Sequence, residues 1–194
     1  MKYTLFADTE TTGLPNFRKA IDDPSQPHIV QLAAVLEDEN RQVVCALNTL
    51  IMPESDWEMN PAAEAVHGIS LDRAFEAGIS HENVLGAFYD LSNSADLLVC
   101  HNIKFDAVCI EAASRRALGY STLDKETNTY CTMLGSMNLV KARHKNGKSI
   151  KWPKLEECYW HFFNEPMENA HDAMSDVMAC RRVYHYLQDN GHVQ

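Results

Sequence analysis

The sequence predicts a mixed α/β fold built on a single sheet. Three observations carry that prediction. Strand-like segments come first, and two of them are joined by a four-residue turn, as in a hairpin. A short, wholly apolar run then appears between segments of helical period, which is the alternation of an α/β sheet. The composition is that of a packed chain: 194 residues, 45% hydrophobic and 23% charged, with only eight Gly and seven Pro. Those proportions exclude wholesale disorder and collagen-like or low-complexity sequence.

Residues 2–8 (KYTLFAD) are apolar on both alternating sets, as in a strand covered on both faces. Residues 15–27 hold three prolines among polar residues and read as a surface loop. Residues 29–37 and 42–52 are the hairpin strands. Asn60-Pro61 starts a short helix, with Asn as N-cap and Pro at the first helical position, and the helix ends near His67-Gly68. Residues 81–93 are helical. Residues 96–100 (DLLVC) are a buried strand. Residues 105–118 form a helix closed by Gly119, with Arg115 and Arg116 in the last turn where cations suit the dipole. A short strand at 128–132 precedes helices at about 154–163 and 172–189. No repeat or long linker divides the chain, and its length suits one domain, residues 1–194, better than two.

No run approaches the roughly 20 apolar residues of a membrane span, and the first eight residues lack the apolar stretch of a signal peptide. The expectation is a cytoplasmic protein without a membrane partner. The six cysteines include no CxxC pair, and most lie in apolar surroundings. Although an even count alone also permits disulfides, this usage suits buried thiols in a reducing compartment.

The net charge is −10, yet residues 141–154 hold six of the 17 basic residues and none of the 27 acidic ones. The acidic whole argues against a protein that coats DNA by long-range attraction. The basic segment has two readings that charge alone does not separate. It is a solvated loop, or it contacts phosphates through residues such as Lys145, Lys148 and Lys151, with His144 and Trp152 available to stack on bases.

Several acids occupy positions that belong to apolar residues. Asp8 and Glu10 are two apart at the end of the first strand and point to the same side. Asp106 lies on the apolar face formed by Cys109, Ile110, Ala113 and Ala117, being three and four residues before the first two. In the last helix the stripe runs Ala173, Val177, Cys180, Tyr184, Leu187, and Asp176 sits on it. Buried acids need partners. Asp8 and Glu10 also fit a solvated pair at the mouth of a loop, and Asp106 or Asp176 singly also fits a satisfied core carboxylate or an N-terminal-turn acid favouring the helix dipole. Four that converge without a Cys/His cluster suit a hard cation, Mg²⁺ or Mn²⁺, in place of zinc. Such clusters can hold two ions about 4 Å apart, one activating water and one steadying the leaving oxygen of a phosphodiester. His171, five residues before Asp176, lies about 140° away on a continuous helix. Placed instead in the preceding loop, it can swing towards the cluster and take a proton from water.

Four segments carry a resemblance: Phe6-Ala7-Asp8-Thr9-Glu10-Thr11-Thr12-Gly13-Leu14, Val66-His67-Gly68-Ile69, His101-Asn102-Ile103-Lys104-Phe105-Asp106, and His171-Asp172-Ala173-Met174-Ser175-Asp176. In this order they resemble the DnaQ-like, DEDDh-type 3′–5′ exonucleases of the ribonuclease H-like fold. The resemblance implies a three-layer α/β/α domain whose mixed five-stranded sheet has the first strand at its centre. It implies that Asp8, Glu10, Asp106 and Asp176 hold two divalent ions, Mg²⁺ with Mn²⁺ able to substitute, and that His171 is the general base. Thr11, Thr12, Gly13 and Leu14 would cradle the 3′-terminal nucleotide, His67 and Ile69 would line its pocket, and Asn102 would help shape it. The implied substrate is the 3′ end of a single-stranded nucleic acid, DNA favoured. An RNA-trimming enzyme of the same family and a non-catalytic nucleic-acid-binding module are the alternatives.

Two features depart from the family pattern. The 15–27 segment is longer than in compact relatives, and the basic 141–154 segment is not a family signature. A polymerase partner stays open, although the chain stops at Gln194 without the C-terminal extension by which replicative proofreading subunits bind theirs.

Overall fold

A computed structural model describes residues 2–123 and 128–193. In chain order the elements are β1 (Tyr3–Thr11), β2 (Ile29–Asp38), β3 (Val43–Leu50), α1 (Pro61–His67), α2 (Leu71–Ala77), α3 (His81–Ser94), β4 (Leu97–Cys100), α4 (Ile103–Leu118), β5 (Asn128–Cys131), α5 (Thr132–Val140), α6 (Leu155–Phe163) and α7 (Ala173–Asp189). The five strands form one sheet in the order β3-β2-β1-β4-β5. β1 runs antiparallel to β2 and parallel to β4, so it is central, and the sheet is mixed.

Alternation along β1 divides the core into two layers. Leu5 and Ala7 face one side, packing with Leu85, Phe88, Cys109, Ile110 and Ala113 of α3 and α4. Phe6 faces the other, with Val177, Cys180, Val183, Tyr184 and Leu187 of α7. The apolar stripes read from the two long helices are therefore their sheet-facing sides. Cys100, Cys109, Cys158 and Cys180 are buried thiols, and all six cysteines are unpaired.

β1 runs three residues beyond the apolar segment, because its ladder with β2 continues opposite Leu32 and Gln31 and, past a register shift between Glu10 and Thr11, opposite Ile29. This extension puts Glu10 on the same strand as Asp8. α4 begins two residues early. Asn102 adopts the left-handed conformation (φ 67°), and its carbonyl accepts the Phe105 N–H at 2.8 Å. The sequence reading missed α2 and α5. Of α2 only Ala74 is buried, so it shows no stripe. α5 follows β5 directly, lacks a side-chain cap and contains Gly135. That glycine is there for space, since a Cβ would come within 2.2 Å of the Tyr130 hydroxyl.

The 15–27 loop is tied down from within. Gln26 is buried and donates to the carbonyls of Asn16 and Ala20, both at 3.1 Å, while accepting the Asn16 N–H at 3.0 Å. From α4, Arg116 donates to the carbonyls of Gln26 (2.7 Å) and Pro27 (3.1 Å). Residues 141–154 fold back on themselves: Arg143 bridges Ile150, His144 N–H donates to the Ser149 carbonyl at 3.1 Å, and Gly147 turns the chain at φ 68°. No described helix is long and apolar enough to cross a membrane.

Candidate active site

Three routes bring the acids to the end of β1. The pleat puts Asp8 and Glu10 on the α7 side. α7 begins beside them because Gln31 of β2 accepts the Ala173 N–H at 3.3 Å and donates to Asp172 at 3.2 Å, which seats Asp176 in the first turn. Asp106, in the first turn of α4, is only 2% exposed. Its Oδ1 accepts both the backbone N–H of Thr9 (3.0 Å) and the Thr9 hydroxyl (2.9 Å), which anchors it to the strand from the opposite face. Asp8, Glu10, Asp106, Asp176 and His171 all line one cavity of ≈ 380 Å³.

These carboxylates disturb one another. Burial, then Asp106, Asp176 and Glu10, push Asp8 well above the usual carboxylate range. Burial and the neighbouring Asp176 and Asp106 raise Glu10 to about 8. Asp106 rises to about 7 through burial, despite the two hydrogen bonds from Thr9, and Asp176 rises to about 6 for the same first reason. A group of acids that holds protons near neutrality is one that a cation would discharge. Asp172 is different. Against a burial penalty, hydrogen bonds from Gln31 and Ser175 hold it below its ordinary value. It is a satisfied helix cap, accepting the Ser175 N–H at 3.1 Å.

His171 stands in the loop before α7 in the left-handed conformation (φ 68°). Its backbone N–H reaches Asp176 Oδ1 at 3.3 Å. That turn undoes the 140° separation a continuous helix would impose. Ligand atoms of Glu10, His171 and Asp176 lie within 4.8 Å of one another. Carboxylate oxygens with one imidazole fit a divalent ion that prefers oxygen donors.

A family model described as exonuclease, of the RNase T type, matches residues 5–184. The chain belongs to this exonuclease family. No curated protein sequence matches it. Among solved structures, E. coli exonuclease I in complex with a dT13 oligonucleotide superposes with a TM-score of 0.78 at 19% identity, covering 97% of this chain and 41% of that one. A moderately thermophilic exonuclease I from Methylocaldum szegediense gives 0.77 at 20%, with 97% and 41% covered. A zinc-ion-bound form of the E. coli enzyme with single-stranded DNA gives 0.71 at 20%, with 97% and 43% covered. The chain thus spans about two-fifths of the length of these proteins. The fold is ribonuclease H-like, as the resemblance in the sequence implies. Exonucleases of this family depend on divalent metal.

In this family member the residues expected to hold a terminal nucleotide divide in two. Thr11, Gly13, Leu14 and His67 line a second cavity of ≈ 330 Å³ beside the first, with Glu10 and Phe105 common to both. His67 is fixed as a neutral ring: Nε2 faces the Thr11 carbonyl at 3.2 Å, Nδ1 accepts the Ile69 N–H at 3.0 Å, and burial lowers its pKa. Thr12 and Ile69 do not line that cavity. Thr12 is buried and ties the loop to His28 and Asn60 by backbone and hydroxyl hydrogen bonds. Ile69 is 3% exposed and packs in the core, because its apolar side chain gains more there than at a polar mouth. Its contribution is the backbone N–H that positions His67. Asn102 lines the first cavity as the left-handed cap of α4.

Two residues were missed by the sequence reading, and a third, Trp152, was read only as an aromatic of the basic segment. Thr9 anchors Asp106, Phe105 separates the two cavities, and Trp152 forms the far wall of the first. Thr9 had a signal, since its side chain points to the α4 face of the strand. Trp152 had none beyond lying in the basic segment. That segment is seated by His101, whose Nε2 donates to the Pro153 carbonyl at 3.0 Å while Nδ1 pairs with Thr132 at 2.9 Å. The expectation that Lys151 offers a free charge is corrected. It pairs with Glu157 at 2.6 Å, as Lys154 does with Glu156 at 3.1 Å.

Proposed function

We propose that this chain is a divalent-metal-dependent 3′–5′ exonuclease. It acts on single-stranded nucleic acid, DNA favoured, and releases 5′-mononucleotides, with residues 1–194 read as one catalytic domain. The observation that carries this reading is the convergence of Asp8, Glu10, Asp106 and Asp176 from one strand and two helices on one cavity, with their pKa values raised. The preference for DNA is supported by exonuclease I bound to dT13.

The four acids would hold two ions, Mg²⁺ or Mn²⁺, which when bound offset the charge of the scissile phosphate and of the developing transition state. The remaining work falls to the chain. The cavity formed by Thr11, Gly13, Leu14 and His67 takes the 3′-terminal nucleotide, and the neutral His67 ring avoids pairing with the acids. Phe105 sets the boundary between that nucleotide and the next. His171 accepts the proton of the attacking water as its oxygen bonds to phosphorus. The phosphorus–O3′ bond then breaks, and the departing O3′ takes a proton from solvent. The strained backbone at His171 fits a residue held for geometry and not for stability.

A 3′-labelled oligonucleotide with Mg²⁺ tests this. Wild type should release labelled mononucleotide. Asp8→Ala should abolish release, and His171→Ala should slow it by roughly 10²- to 10⁴-fold, the usual worth of a general base. Unchanged cleavage by either variant refutes the assignment.

A further inference from the structure

Three cavities lie in a row on this molecule. The one holding His67 shares Glu10 and Phe105 with the acidic cavity, and the acidic cavity shares Trp152 with a third of ≈ 450 Å³. This third cavity is lined by Lys141, His144, Ile150, Lys151 and Trp152 of the basic hairpin and by Met137 of α5. Trp152 is 65% exposed, a large aromatic face left in water between two cavities. Its position is fixed from both sides, by the Lys151 N–H donating to the Ala142 carbonyl at 2.8 Å and by His101 on the Pro153 carbonyl.

The hairpin's charge is available to a ligand. Lys151 and Lys154 are neutralised by Glu157 and Glu156, whereas Lys141, Lys145 and Lys148 make no ion pair among the described residues. Unpaired cations on the same hairpin as an exposed indole, with Lys141 lining one cavity with it, are the chemistry that holds single-stranded nucleic acid: phosphates on the ammonium groups and a base on the ring.

We infer that the 141–154 hairpin is a binding site for the strand upstream of the scissile bond. A base stacks on Trp152 as the chain leaves the acidic cavity, and the next phosphates meet Lys141, Lys145 and Lys148. The inference rests on the exonuclease reading for the direction of the strand, but not for the binding itself. The enzyme should then sense substrate length. A dinucleotide ends at the acidic cavity, whereas a tetranucleotide reaches the hairpin.

The test compares kcat/KM for dT4 and dT2 within each protein, so that any loss of folded fraction cancels. Wild type should favour dT4 by at least about tenfold. Trp152→Ala should shrink that ratio roughly ten- to hundredfold or to unity, the worth of one stacked base. A triple Lys141→Gln, Lys145→Gln, Lys148→Gln variant should lower the salt slope of dT10 binding by about 2, at roughly 0.7 per phosphate contact on a single strand. In a Trp160→Phe background, titrating dT10 in Ca²⁺ should quench tryptophan emission, and adding Trp152→Phe should remove that quench, because the remaining Trp57 is buried. A Trp152-dependent quench without mononucleotide release supports this site and refutes the exonuclease reading. Release with equal dT4 and dT2 values, or a ratio and salt slope unmoved by the variants, overturns this site alone. Neither binding nor release overturns both.

Discussion

Removing divalent ions should make the stability of this protein fall as pH rises from 6.5 to 8. Glu10 is the clearest case. Its carboxyl moves from 4.5 to about 8 on folding, through burial and the fields of Asp176 and Asp106. Asp106 moves from 3.8 to about 7. A carboxyl whose folded pKa lies above its unfolded one binds more protons in the folded state over the interval between them. Its contribution is full below the unfolded value and is lost as pH rises through the folded one. The buried histidines work in the opposite sense. His28 and His101 drop from 6.5 to about 4, and burial lowers His67 and His81 too, so each makes stability rise with pH until the unfolded imidazole has lost its proton, about one pH unit above 6.5. The difference between wild type and Glu10→Gln across the window from 6.5 to 8 therefore isolates Glu10, since the histidines are common to both.

Across that window Glu10 goes from protonated to half ionised in the folded state while staying ionised in the unfolded one. At about 1.4 kcal/mol per pH unit this amounts to about 2 kcal/mol, and Asp106 adds somewhat under about 1 kcal/mol across the same window. For a chain of this size, about 2 kcal/mol corresponds to roughly 4–8 °C in Tm. Thermal unfolding followed by circular dichroism in EDTA should show that fall. Excess Mg²⁺ should raise Tm and flatten its pH dependence, because the ions bind the ionised form. Glu10→Gln should flatten the EDTA profile without metal. A flat EDTA profile, or the same slope in Mg²⁺ and EDTA, refutes the account of raised carboxyls that a cation discharges.

Thr9→Val removes one of the two hydrogen bonds to Asp106 Oδ1 while leaving the backbone N–H in place. It should lower stability by about 1 kcal/mol and turnover more than it lowers oligonucleotide affinity, which steady-state kinetics against binding in Ca²⁺ will separate. Arg116→Ala removes the donors to the Gln26 and Pro27 carbonyls. It should cost about 1–3 kcal/mol by denaturant titration and open the 15–27 loop to limited proteolysis, whereas a loop held by Gln26 alone would stay resistant.

Most of the architecture was legible because periodicity reports burial. The stripes of α4 and α7 were visible at spacings of three and four, and they named the buried faces that carry Asp106 and sit beside Asp176. Asn60 and Gly68 marked both ends of α1, since caps are local chemistry. What stayed hidden was non-local or depended on sign-changed backbone. α5 has no cap, and its glycine answers to Tyr130 on the neighbouring strand. His171 reaches the cluster only through a left-handed turn, which its residue type does not announce. Trp152 reaches the site through a hydrogen bond between His101 and the carbonyl of Pro153, 52 positions apart in the chain.

The same distinction explains how a chain of net charge −10 can handle a polyanion. Net charge sets the long-range field, but screening confines each exposed charge to about 10 Å at moderate ionic strength. Within that range the acids that face the cavity are the ones that hold protons or bind cations, so they repel a phosphate less than their number suggests. Along the hairpin, within the same range, Lys141, Lys145 and Lys148 have no acid to pair with among the described residues. A strand approaching this face therefore meets local charge of the sign it needs, although the molecule as a whole repels it. Association should accordingly be slower than for a basic nuclease at low salt, where the global field acts furthest, and the gap should close as salt is raised.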